Sequence, residues 1–149
     1  MKHLMMLVLL FVSTGAFAQD RLGVGAMLGN PTGVNLKYWL GEDTAVDGGA
    51  GFSFGKHTDF NLHSDYLFHN KAALYLNEVN PLDVYFGIGA RMEFSDDIEL
   101  GVRVPVGVAH SFDHGKADTF IEVAPVLDFL TVTGVELGVA LGGRFYIDL

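Results

Sequence analysis

Two dipeptides, His63-Ser64 and His110-Ser111, set a general base beside a potential nucleophile. A hydrolase or acyltransferase would need such a pair within hydrogen-bond reach, with an acid to orient the imidazole. Neighbouring residues of an extended strand point to opposite faces, so neither pair can make that contact within its own strand. His63, Asp65 and His69 fall on one parity and offer nitrogen and oxygen donors for a metal. Histidines in a polar interior more often join a hydrogen-bond network, so no metal, no cofactor and no catalytic residue is expected. The chemistry that remains is ionic. Lys37, Arg91, Arg103 and Arg144 share one parity with Asp47, Asp65, Glu93, Glu99, Glu122, Asp128 and Glu136.

What those charges do depends on the elements that carry them. Alternating segments run over 21–29, 33–40, 45–55, 60–69, 82–94, 98–112, 119–130 and 134–148. They are separated by turn-rich stretches such as "NPTG", "GEDT", "SDD" and "DHGKAD". Only "KAALYL" at 71–76 hints at a helix. Eight strands on short turns predict an all-β, closed, antiparallel up-and-down barrel, which leaves no unpaired edge. In the sixth segment Ile98, Leu100, Val102, Val104, Val106 and Val108 line one face, and Glu99, Gly101, Arg103, Pro105 and Gly107 the other.

Alternation alone does not say which face is inside. A soluble barrel hides its apolar face, whereas a membrane barrel turns that face to lipid. Gly23, Gly25, Gly49, Gly51, Gly87, Gly89, Gly101, Gly107, Gly138 and Gly142 all fall on the charged side. An eight-stranded barrel has an interior only wide enough for side chains, so its inner face must mix very small residues with large ones. The charged side is therefore expected to face the lumen. There the ions must pair, because an unpaired charge in so dry a space costs several kcal/mol. Such a barrel holds no open aqueous channel.

Aromatic residues support a membrane setting. Tyr38, Tyr66, Phe68, Phe112 and Phe145 gather toward one rim, and Phe52, Phe54, Phe60, Phe94 and Phe129 toward the other. Two aromatic girdles around an aliphatic band mark an outer-membrane barrel. Pro105 interrupts the sixth segment, and folding it onto the seventh brings it near Pro125. A shared bulge or a local break in pairing is expected there.

The chain ends and charge agree. Lys2 precedes the apolar run "LMMLVLLFV", and Ala16-Phe17-Ala18 has the small-x-small form of a cleavage site. Residues 1–18 read as a cleaved signal peptide and 19–149 as the barrel domain. Removing Lys2 takes the net charge from -9 to -10, which argues against nucleic acid as a partner.

The motifs "GVGAMLGNPTGVNLKYWLG", "AVDGGAGFSF", "LHSDYLFHN", "YFGIGAR", "LGVRVPVGVAHSF" and "FIEVAPVLD" occur in this order. They resemble an uncharacterised family of small bacterial outer-membrane β-barrels across nearly all of residues 19–149. The resemblance implies an architecture similar to the OmpA membrane domain or OmpX, and no activity to transfer. Phe145, Ile147 and Leu149 resemble the C-terminal assembly signal of such barrels, departing from it in the final leucine.

The expected protein is thus a monomeric outer-membrane barrel with a salt-bridged lumen, contacting membrane lipid. Its role would be structural or surface-interacting, with short outer turns that suit only a weak partner. Two alternatives stand beside it: a barrel-embedded lipid-modifying hydrolase or acyltransferase, and a soluble periplasmic ligand-binding barrel with its faces inverted.

Overall fold

A computed structural model of the chain describes residues 21–54, 58–75, 81–130 and 134–149. The proposed signal peptide, residues 1–18, lies outside them. Nine strands follow one another: β1 (Arg21–Asn30), β2 (Thr32–Trp39), β3 (Thr44–Phe54), β4 (Thr58–Tyr75), β5 (Pro81–Phe94), β6 (Ile98–Arg103), β7 (Val106–Phe112), β8 (Ala117–Asp128) and β9 (Gly134–Asp148). Each pairs antiparallel with its neighbours, and β4–β5 and β8–β7 pairings close the sheet into a ring. Strands β6 and β7 are the two halves of one predicted strand, so the ring has eight staves. The all-β closed barrel is as expected from the alternation.

The wall is inside out relative to a soluble barrel. Arg103 is 3% exposed, while Val102, Val104 and Val106 beside it are 40%, 43% and 47% exposed. From Asp118 onward the alternation along β8 is unbroken: Asp118, Phe120, Glu122, Ala124, Val126 and Asp128 are buried, and Thr119, Ile121, Val123, Pro125 and Leu127 are exposed. A period of two maps each parity onto one face, which is why the pattern was readable in advance.

The two prolines break the ladder without shifting it. Arg103 pairs with Val126 and Val106 with Val123, so the register is the same on either side of the gap. There is no bulge. Gly87 N donates to Pro105 O at 3.0 Å, and Val104 N donates to Pro125 O at 3.0 Å. Neither proline has an N–H to return the bond. The two missing bonds flank the same dipeptide, Val104-Pro105, one on each side of the strand.

Most boundaries lie within two residues of expectation, and two of the differences bear on the lumen and its connections. β4 continues to Tyr75, past the predicted end at His69, and takes in most of the "KAALYL" stretch read as a possible helix. A register shift between Asn70 and Leu74 lets the pairing with β5 resume at Leu74–Leu82. Of the residues between the predicted fourth and fifth segments, 70–75 and 81 are strand, and 76–80 lie outside the described residues. β8 starts at Ala117, two residues before the predicted 119, and this brings Asp118 into the sheet.

Candidate functional site

The lumen is built in rows. Reading across the register, Lys37, Asp47, Asp65, Gly89 and Arg103 stand side by side on β2 to β6. The next row carries Asn35, Gly49, His63, Arg91, Gly101 and Asp128. A third carries Gly51, Asn61, Glu93 and Glu99. Each row mixes ionic side chains with glycine, because facing residues stand only about 5 Å apart and the longest side chains need the space above a glycine.

The glycines mark where a side chain crosses to its partner two strands away. Arg103 passes over Gly89 to Asp65, and Nε lies 2.9 Å from both carboxylate oxygens. Arg91 passes over Gly101 to Asp128, with Nη2 2.8 Å from each oxygen. Arg144 passes over Gly25 to Asn35, at 2.9 Å from Nη1 to Oδ1. Tyr85 passes over Gly107 and donates its hydroxyl to Glu122 at 2.9 Å. A Cβ on Gly101 would stand 2.6 Å from Asp128 Oδ1, and one on Gly25 2.8 Å from Arg144 Cγ. Each bridge requires its glycine.

Gly107 tests this directly. A methyl there would collide with the Tyr85 ring and stand 2.7 Å from the Ile121 carbonyl oxygen. Gly107→Ala is expected to destabilise the barrel by about 1–3 kcal/mol, and Gly107→Leu by more. Urea titration of the refolded protein measures this, and an unchanged midpoint for Gly107→Leu would contradict the packing described.

Arg103 is the hub. Besides Asp65 it donates from Nη2 to Glu122, which also accepts from Tyr85. Arg144 holds Asp118 at 3.0 Å and Asn35, with Asp47 4.0 Å away. Arg91 donates to Asp128 and, at 2.7 Å, to Glu136, and lies 3.5 Å from Glu93. Lys37 departs from the expected ion pairing. Its Nζ lies 2.7 Å from His69 Nε2 and sits over the Trp39 and Tyr85 rings at 4.5 and 5.5 Å from their centroids. Aromatic faces carry negative charge density, so here they stand in for a carboxylate.

Of the eleven residues singled out in the sequence, Lys37, Asp47, Asp65, Arg91, Glu93, Arg103, Glu122, Asp128 and Arg144 are buried. Glu136 and Glu99 are not. The Glu136 side chain is 50% exposed and Glu99 is half-buried, because both sit near strand ends, at one mouth of the barrel. Asp118 was missed. It accepts from Arg144 Nε and, at 2.6 Å, from the Tyr146 hydroxyl. Carrying the alternation of β8 back two residues would have found it.

The dipeptides offer no nucleophile–base pair. His63 is buried in the lumen, while Ser64 faces outward and donates to the Asp47 carbonyl oxygen at 3.2 Å. His110 Nδ1 lies 3.0 Å from the Pro81 carbonyl oxygen, and Ser111 is exposed. The metal reading also changes. His69 is engaged by Lys37, and the donor atoms that converge around His63 are those of Asp47, His63 and Asp65. Both Asp65 oxygens already accept from Arg103, which leaves too few free donors for a tetrahedral site.

The crystal structure of the N-terminal β-barrel domain of Pseudomonas aeruginosa OprF superposes on this chain with a TM-score of 0.66. The match covers 87% of this chain and 99% of that one, at 13% identity. The two share a fold. That similarity bears out the barrel architecture expected from the sequence. No protein-family model matches the chain, and no curated protein matches it in sequence.

Proposed function

We propose that this chain is an integral barrel of the bacterial outer membrane, its lumen sealed by a salt-bridge network. Its role is structural or surface-interacting, with neither catalysis nor an open pore. The observation that carries this reading is the solvent-facing wall. Val34, Leu36, Leu62, Ile88, Val104, Val106, Ile121, Val139 and Leu141 are all exposed, on strands all round the ring. Soluble monomers rarely expose a contiguous apolar patch beyond about 300–600 Å². A belt running round the whole molecule calls for an apolar solvent, which the bilayer supplies.

The aromatic residues support the same setting. Phe52, Phe60 and Phe94 are register neighbours on β3, β4 and β5, their rings 5.6 and 6.0 Å apart. Eight residues along β4, Phe68 stacks on Phe86 at 5.5 Å. Eight residues span about 26 Å of strand. At a tilt of about 40° that is about 20 Å along the barrel axis, close to the height of the apolar band in outer-membrane barrels. The resemblance of "NPTGVNLKYWL" and "GVRVPVG" to small outer-membrane barrels points the same way, as does the signal-like start. With both termini periplasmic, the mouth holding Glu99 and Glu136 opens outward.

The test is migration on a gel. Protein from the outer-membrane fraction should run at a different position unboiled than boiled, and N-terminal sequencing should begin at Gln19. Identical migration, together with solubility of residues 19–149 without detergent, would refute the membrane reading and revive the soluble barrel.

A further inference from the structure

At the mouth opposite Arg21 and Asp148, a cavity of about 500 Å³ is lined in part by Asp59, Glu93, Asp96, Glu99 and Glu136. Carboxylate oxygens of Glu93, Glu99 and Glu136 all lie within 4.8 Å of one another. Glu93 and Glu99 are register neighbours on β5 and β6, and Glu136 reaches in from β9. Repulsion between such groups needs a countercharge. Among the described residues the one cation in ion-pair range is Arg91, and its single charge is shared among Asp128, Glu136 and Glu93.

Glu93 points to a ligand independently of the cluster. It is 6% exposed, and its Oε2 is buried without a hydrogen-bond partner. Arg91 Nη1 lies 3.5 Å from that oxygen but donates instead to Glu136 at 2.7 Å, and Nη2 is taken by both oxygens of Asp128. A buried carboxylate oxygen whose nearest cation donates its hydrogen bonds elsewhere, beside a polar cavity, has a lone pair available for a cation.

We propose that Glu93, Glu99 and Glu136 bind a hard divalent cation of calcium's size at this mouth. The donors are all carboxylate oxygens, which select hard cations over zinc or copper. Calcium accepts six to eight oxygens in a flexible arrangement, so three carboxylates from different strands, with oxygens within 4.8 Å of one another, can share one ion. Magnesium demands near-ideal octahedral geometry and gives up its waters reluctantly, so it fits three carboxylates from separate strands less well. Three protein ligands leave the remaining positions to water, and Asp59 and Asp96 add negative potential around the entrance. The site belongs to the barrel rim and stands whatever solvent surrounds the wall.

Calorimetric titration of calcium chloride into the full-length barrel folded in detergent tests it, with magnesium chloride in parallel. The expected result is one calcium per chain, with a Kd of about 0.1–1 mM as in other extracytoplasmic sites, and weaker magnesium binding. Glu93→Gln and Glu99→Gln should each weaken calcium binding by about 10–100-fold. Asp148→Asn, at the opposite mouth, should leave it unchanged. The gel shift of unboiled protein checks folding, and if Glu93→Gln does not fold, Glu99→Gln alone decides. No saturation by about 10 mM calcium, or affinity unaltered in the folded variants, would overturn the proposal.

Discussion

Arg103→Met should destabilise the barrel by about 3–5 kcal/mol, because it leaves Asp65 and Glu122 as buried charges without their shared cation. The guanidinium is 3% exposed and its two partners lie on β4 and β8, so bulk water has little access there, and among the described residues no other cation is in ion-pair range of either carboxylate. The loss should be measurable as a lower urea midpoint, followed by the fluorescence of Trp39, the only tryptophan in the chain. Adding Asp65→Asn and Glu122→Gln removes the uncompensated charges. Most of the lost stability should return, since a buried ion pair contributes far less than breaking it costs. A cost below about 1 kcal/mol for Arg103→Met alone would mean that the pair behaves as a solvated one, and the dry lumen would have to be abandoned.

Val104→Arg probes the other face of the same strand. Val104 is 43% exposed, mid-way along the wall, between the two aromatic groups. If lipid surrounds it, an arginine at that depth should cost about 2–4 kcal/mol, whereas the same substitution near either rim should cost about 0–1 kcal/mol. Refolding into phosphatidylcholine vesicles, scored by the fraction of unboiled protein in the folded band, measures both. A silent Val104→Arg that also dissolved without detergent would place the wall in water. Arg103 and Val104 are adjacent, yet their substitutions fail for opposite reasons: one removes a charge from the interior and the other adds one to the exterior.

Much of this was legible from the sequence because a strand has a period of two. Parity assigned Arg103 inward and Val104 outward, and the glycines on the charged side told which face had to be crowded. Parity does not reveal which residues meet. Asp65 and Arg103 are 38 positions apart and touch only because Gly89 stands between them in a row set by the stagger of the closed ring. The same limit explains Glu136, whose parity is that of the lumen but whose place near the start of β9 brings it to the mouth. Asp118 escaped because the turn "DHGKAD" looked longer than it is. Its left-handed residues Asp113, His114 and Gly115 close it tightly, and Lys116 N donates to Asp113 O at 3.1 Å. The proline interruption was foreseen at the right place, but a bulge was not needed: with one bond lost on each side of Val104-Pro105, the strand keeps its frame.

The reach of the arginines across intervening strands bears on how such a wall could assemble. Arg144 of the last strand draws on Asp118 from the strand before it and on Asn35 from the second, across the seam where the first and last strands meet. A sheet that has not yet wound shut keeps the Asp118 contact but leaves the rest of that guanidinium without Asn35 and Asp47. If the wall meets lipid as proposed, half-built intermediates would be penalised, and insertion would favour a concerted event in which curling, sealing and neutralisation happen together.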